Sequence, residues 1–96
     1  MILEIQCLPS PIGTDDDPYH HVDAAIAVIE ASGLHYEVGA LGTTIEGTAD
    51  ELWPLARRVH EACLASGATT VVSVVKVAQT STDTVTMDSL TAKFRQ

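Results

Sequence analysis

The sequence predicts an α+β domain in which four strands form one antiparallel sheet and two helices cover one of its faces. Two amphipathic stretches at helical spacing each run from a capping residue to a glycine, Asp17 to Gly33 and Thr48 to Gly67. Stretches of alternating or β-branched residues precede, separate and follow them. A short link, Gly39 to Gly42, joins the two middle strands and makes them a hairpin. The order is strand, helix, strand, strand, helix, strand, and 96 residues suit one domain spanning 1–96.

Met1 to Leu8 alternates, with Leu3, Ile5 and Cys7 on one side and Glu4, Gln6 and Leu8 on the other, as in a half-buried strand. Pro9 and Pro11 end it, because proline cannot donate to a ladder. In Asp15-Asp16-Asp17-Pro18, Asp17 is the expected cap and Pro18 the expected first helical residue. The extra carboxylates suit the positive end of the helix dipole, and their spacing lacks the pattern of a calcium loop. Val22, Ala25, Ile26 and Ile29 then form the apolar stripe.

Leu34 to Ala40 is the second strand, with Tyr36 and Val38 facing away from His35 and Glu37. Thr43 to Gly47 is the third. Thr48-Ala49-Asp50-Glu51 fits a capping box ahead of a stripe of Leu52, Leu55, Ala56, Val59, Ala62 and Cys63. Pro54 lies beyond the first turn, where it deletes a hydrogen bond, so the helix should bend there or start later. Thr69 to Val77, rich in valine and threonine, is the fourth strand. Asp83 to Gln96 is expected to form a short C-terminal helix with Val85, Leu90 and Phe94 as its apolar contacts. The whole is the ferredoxin-like βαββαβ arrangement.

The formal net charge of -8 argues against nucleic acid and anionic membrane surfaces as partners, since little here would neutralise phosphates. It permits a cationic small ligand. Cys7 and Cys63 form no C-x-x-C unit and read as reduced, buried residues of a cytoplasmic protein. The opening MILEIQCLPS lacks a basic region before its apolar run, so no signal peptide is expected, and no apolar run reaches membrane-span length. His20 and His21 are adjacent and diverge by about 100° on a helix, so they read as surface or helix-start histidines and not as metal ligands. Ser10, His60 and Asp50 form no recognisable triad, and no phosphate-binding loop or dinucleotide fingerprint occurs. No catalytic residue, metal ligand or cofactor is assigned.

Strand alternation sends Leu3, Ile5, Cys7, Ile45, Val71, Ser73 and Val75 toward the helices. It leaves Glu4, Gln6, Leu8, Thr44, Glu46, Val72, Val74 and Lys76 on the open face. A valine-bearing open sheet on a small domain favours homo-oligomerisation. The functional reading is a pocket between subunits, where Glu46 accepts hydrogen bonds from a ligand's ring N–H or amino group and Thr44 and Gln6 orient it.

Ser32-Gly33-Leu34-His35-Tyr36 and Leu41-Gly42-Thr43-Thr44-Ile45-Glu46-Gly47 resemble the paired motifs of a small thiamine-binding, ferredoxin-like family, formerly a domain of unknown function. Pro11-Ile12-Gly13-Thr14 and the strand ending in Lys76-Val77 are similar too. The resemblance implies a subunit that pairs through its sheets as a homodimer or homotetramer. It also implies binding of thiamine or its hydroxymethylpyrimidine part near subunit interfaces, with Gly42, Thr43, Thr44 and Glu46 at the matching positions and Lys76 more weakly so. A carboxylate pairs well with a protonated aminopyrimidine. The chain departs from the motif at Leu41, where the family carries methionine, and at Ala78-Gln79-Thr80 after the last strand. The expected function is non-enzymatic ligand binding. The alternatives are an interaction protein whose open face serves assembly alone, and a small dimeric α/β-barrel enzyme.

Overall fold

In the computed structural model, which describes residues 1–82 and 84–95, the elements follow the expected order. Strand β1 is Ile2–Ser10, helix α1 His20–Ala31, strand β2 His35–Val38, strand β3 Thr43–Glu46, helix α2 Ala49–Ala65 and strand β4 Thr70–Ala78. A short helix α3, Met87–Thr91, runs into one 3-10 turn, Ala92–Phe94. The strands lie in the order β2-β3-β1-β4, antiparallel throughout. This is the ferredoxin-like α+β fold.

Register explains the core. Leu3 stands opposite Ile45, and Ile5 opposite Thr43, so these four side chains share the helix-covered face and are all buried. Ala25 and Ile29 of α1 and Leu52, Leu55, Ala56, Val59 and Cys63 of α2 close over them. Each large apolar side chain so buried contributes about 1.5–3 kcal/mol. Val75 shares this face through its pairing with Ile5, yet stays 41 % exposed, because β4 is an edge strand with a neighbour on one side only.

Helix α1 starts later than the sequence suggests. The Asp17 carbonyl accepts from both Thr14 N–H and His20 N–H, and Asp17 N–H donates to Thr14 Oγ1. These bonds commit Asp17 to a turn ahead of the helix, and Tyr19 becomes the N-cap without a side-chain capping bond. Gly13 allows the turn to close, since a Cβ there would lie 2.3 Å from the Asp17 carbonyl oxygen. His20 is exposed at the helix start, whereas His21 turns inward and its Nδ1 lies 2.6 Å from Ser66 Oγ. Gly33, at φ 75°, follows the last turn, in the left-handed conformation that glycine adopts without strain.

Helix α2 begins at the capping box, with Glu51 N–H donating to Thr48 Oγ1 and Thr48 N–H to Glu51 Oε1. These bonds hold the Glu51 carboxyl below its ordinary range. The helix runs on through Pro54, which rules out the later start. Pro54 and Asp50 are exposed, so water can satisfy the Asp50 carbonyl that the missing N–H leaves unpaired.

The C-terminal segment differs most from expectation. Asp83 and Gln96, the ends of the predicted helix, lie outside the described residues. Met87 is the buried anchor, Val85 is half-buried, and Leu90 and Phe94 are exposed. A five-residue helix has too few turns to display an apolar stripe, so periodicity points to the wrong side chains.

Candidate ligand-binding site

Strand β1 is longer than its partner β3. The two pair only from Ile2 with Glu46 to Ile5 with Thr43. Beyond Thr43 the chain turns back through Leu41 and Ala40, and Gly39 N–H donates to the Gly42 carbonyl at 2.8 Å. Strand β1 continues to Ser10, held on its other edge by β4. A notch opens beside Gln6 and Cys7, and a cavity of about 170 Å³ occupies it.

The walls of this cavity are mostly apolar. Helix α1 supplies Val22, Ala25, Ile26 and Ile29, and α2 supplies Val59. The hairpin turn contributes Val38 to Thr43, and β1 contributes Ile5, Gln6 and Cys7. Gly42 permits close approach of turn to strand, since a Cβ there would stand 3.3 Å from the Ile5 carbonyl oxygen. Thr43 is buried, and among the described residues its hydroxyl takes no hydrogen bond. An apolar cavity of about 150 Å³ holds one benzene-sized ring. The notch is therefore comparable in volume to a site for one six-membered ring.

Thr44, Glu46 and Lys76 lie on the opposite face. Glu37, Thr44, Glu4 and Lys76 form one row across the four strands. Lys76 Nζ lies 3.7 Å from Glu4 Oε1, both partly or largely exposed. Glu46 Oε1 accepts from Met87 N–H at 2.6 Å, at the first residue of α3. Thr86 and Ser89 form a capping box around the same helix start. Arg95 Nη2 donates to Glu37 Oε2 at 2.6 Å, and Nη1 lies 3.5 Å from Asp88 Oδ1. Ile2, in register with Glu46, is buried along with Met87, although neither belongs to the helix-side core. The C-terminal helix thus covers one end of a face expected to be open. Leu8, Val72 and Val74 remain exposed elsewhere on it.

Of the six residues singled out from the sequence, Gln6, Gly42 and Thr43 come together at the notch, and Thr44, Glu46 and Lys76 do not. The α1 wall was legible only as a core stripe. Cys7 was likewise read as core, and it both lines the notch and joins a half-buried polar chain. Ser73 Oγ donates to Cys7 Sγ at 3.5 Å, and His60 Nδ1 lies 2.5 Å from Ser73 Oγ. The Ser73 hydroxyl thus bridges the His60 ring and the Cys7 sulfur. Burial, and then the neighbouring Cys7, push the Cys63 thiol up to about 11, which keeps it protonated and unreactive. Among the described residues no group of three or more His, Cys, Asp or Glu side chains is placed to hold a metal. No helix among them is long and apolar enough to cross a membrane.

Fold and sheet order define a small α+β protein with a notch beside its central strand. A family model described as thiamine-binding protein matches residues 4–95. The UPF0045 protein of Clostridium perfringens is 38% identical over 93 residues, covering 97% of this chain and 95% of that protein. A solved Bacillus cereus structure of a domain of unknown function, DUF77, superposes with TM-score 0.87 at 35% identity, over 98% of this chain and 88% of the other. The fold is shared with a candidate thiamine biosynthesis/salvage protein of Thermotoga maritima, at TM-score 0.83 and 23% identity, over 98% and 97% of the two chains. The chain belongs to the thiamine-binding protein family.

Proposed function

We propose that this chain binds thiamine, or its hydroxymethylpyrimidine part, in the notch between α1 and the sheet, and that it does so without catalysing a reaction. One observation carries the placement: the motif residues Gly42 and Thr43 line a partly open, ring-sized cavity in a chain of the thiamine-binding family. The pyrimidine enters the apolar notch, and the Thr43 hydroxyl supplies a polar contact. The cationic thiazolium stays toward solvent, where a net charge of -8 favours it.

Homo-oligomerisation belongs to the same proposal and uses the other face. Leu8, Val72 and Val74 form an exposed apolar strip beside the Glu4–Lys76 pair, suited to a second sheet in a dimer or tetramer. Cytoplasmic residence is proposed on the free thiols of Cys7 and Cys63.

Calorimetric titration of the purified protein with thiamine and, separately, with hydroxymethylpyrimidine tests the ligand. Both should bind, with affinities within about tenfold of each other, because the shared ring fills the notch. Heat from neither compound would overturn the reading. Binding of thiamine with none of the pyrimidine would overturn the placement of the ring.

A further inference from the structure

The notch ends on a strand edge whose hydrogen-bonding groups are unused. Gly47 N–H donates to the Met1 carbonyl at 3.1 Å, so these two residues form a hydrogen-bonded pair of the β1–β3 ladder. In an antiparallel ladder such pairs recur at every second residue. Leu3 with Ile45 and Ile5 with Thr43 are the next two. Cys7 follows along β1, and β3 has already turned away there. The other edge of β1 meets β4 through the alternate residues Glu4, Gln6 and Leu8. The Cys7 N–H and carbonyl therefore point at the notch, and among the described residues nothing hydrogen-bonds them there. Main-chain groups on a half-buried strand need partners, and an unpaired edge is a ready site for adding one.

We propose that the main chain of Cys7 reads the aminopyrimidine edge, taking the ring as a replacement for the absent β3 residue. Cys7 N–H donates to the ring nitrogen beside the amine, and the Cys7 carbonyl accepts from the amine itself. This assignment rests on the reading that the notch binds the pyrimidine, and it fixes the ligand class as a planar ring with an acceptor nitrogen next to an amino group. The ring is read unprotonated, unlike a ring held by a carboxylate. The Cys7 side chain is not the reader, since its sulfur accepts from Ser73.

The test is a titration of ¹⁵N-labelled protein with ring-¹⁵N hydroxymethylpyrimidine, followed by NMR beside calorimetry. The Cys7 amide proton should move downfield, and a scalar coupling across the hydrogen bond should join its nitrogen to the ring nitrogen. An analogue with a 4-oxo group in place of the amine reverses donor and acceptor, and should bind about 10- to 100-fold more weakly. Calorimetric binding of the pyrimidine with the Cys7 amide unmoved would overturn the Cys7 assignment and leave ligand binding standing. Equal affinity for the 4-oxo analogue would overturn it as well. Absence of any calorimetric binding would remove the ligand reading and this inference together.

Discussion

The two ends of β3 do different work. At the Thr43 end the strand leaves β1, and the gap becomes a pocket walled by α1. At the Glu46 end it stays paired on both sides, and its carboxylate holds the first amide of α3. Two residues separate these tasks, and strand alternation sends them to opposite faces. Neighbours in a compact motif therefore need not share a site. A block such as Gly42-Thr43-Thr44-Ile45-Glu46-Gly47 is conveniently read as one feature, yet a strand deals its residues alternately to two surfaces.

Removing what both ends share has the largest expected effect. Ile45 is fully buried between them, and Ile45→Ala should cost about 2–5 kcal/mol in urea unfolding, loosening pocket and C-terminal helix alike.

A second measurement isolates the helix-covered face through pH. The Cys63 thiol sits at about 11 in the folded chain against an ordinary 9.0. The unfolded chain therefore loses this proton first, and stability should fall as pH rises from the lower value through the higher. Urea midpoints across that window should decline in the native chain, and the slope should flatten in Cys63→Ala.

The smallest effect belongs to the other face. Arg95 and Glu37 are both about half exposed, so Arg95→Ala should change stability by about 0–1 kcal/mol. The same variant should speed amide hydrogen exchange in residues 87–91 while leaving the Thr43 amide unaffected.

The layers were legible in the sequence because burial follows period. Leu3, Ile5 and Ile45 alternate and are buried, and the stripe from Leu52 to Cys63 faces them. The capping box at Thr48 and Glu51 was legible because both partners are side chains at a fixed spacing. The start of α1 was not, since Asp17 has several groups to offer and the turn at Thr14 claims them. The notch was not legible for a deeper reason. It arises because β1 outlasts β3, and the length of a pairing leaves no mark in side-chain pattern. Any donor and acceptor on Cys7 that matter there are main-chain atoms, which every residue but proline carries. The strap over Glu46 was hidden because its key bond joins a carboxylate to the amide of Met87, 41 residues along the chain.

The affinities of Thr43→Val and of Glu46→Gln for hydroxymethylpyrimidine, taken beside the native chain, separate the two faces as ligand sites. Thr43→Val should bind about 3- to 10-fold more weakly, having lost one hydrogen bond at the notch. Glu46→Gln should bind as the native chain does, and show faster amide exchange at Met87. Loss of binding in Glu46→Gln with native affinity in Thr43→Val would contradict the account and move the ligand to the opposite face of the sheet.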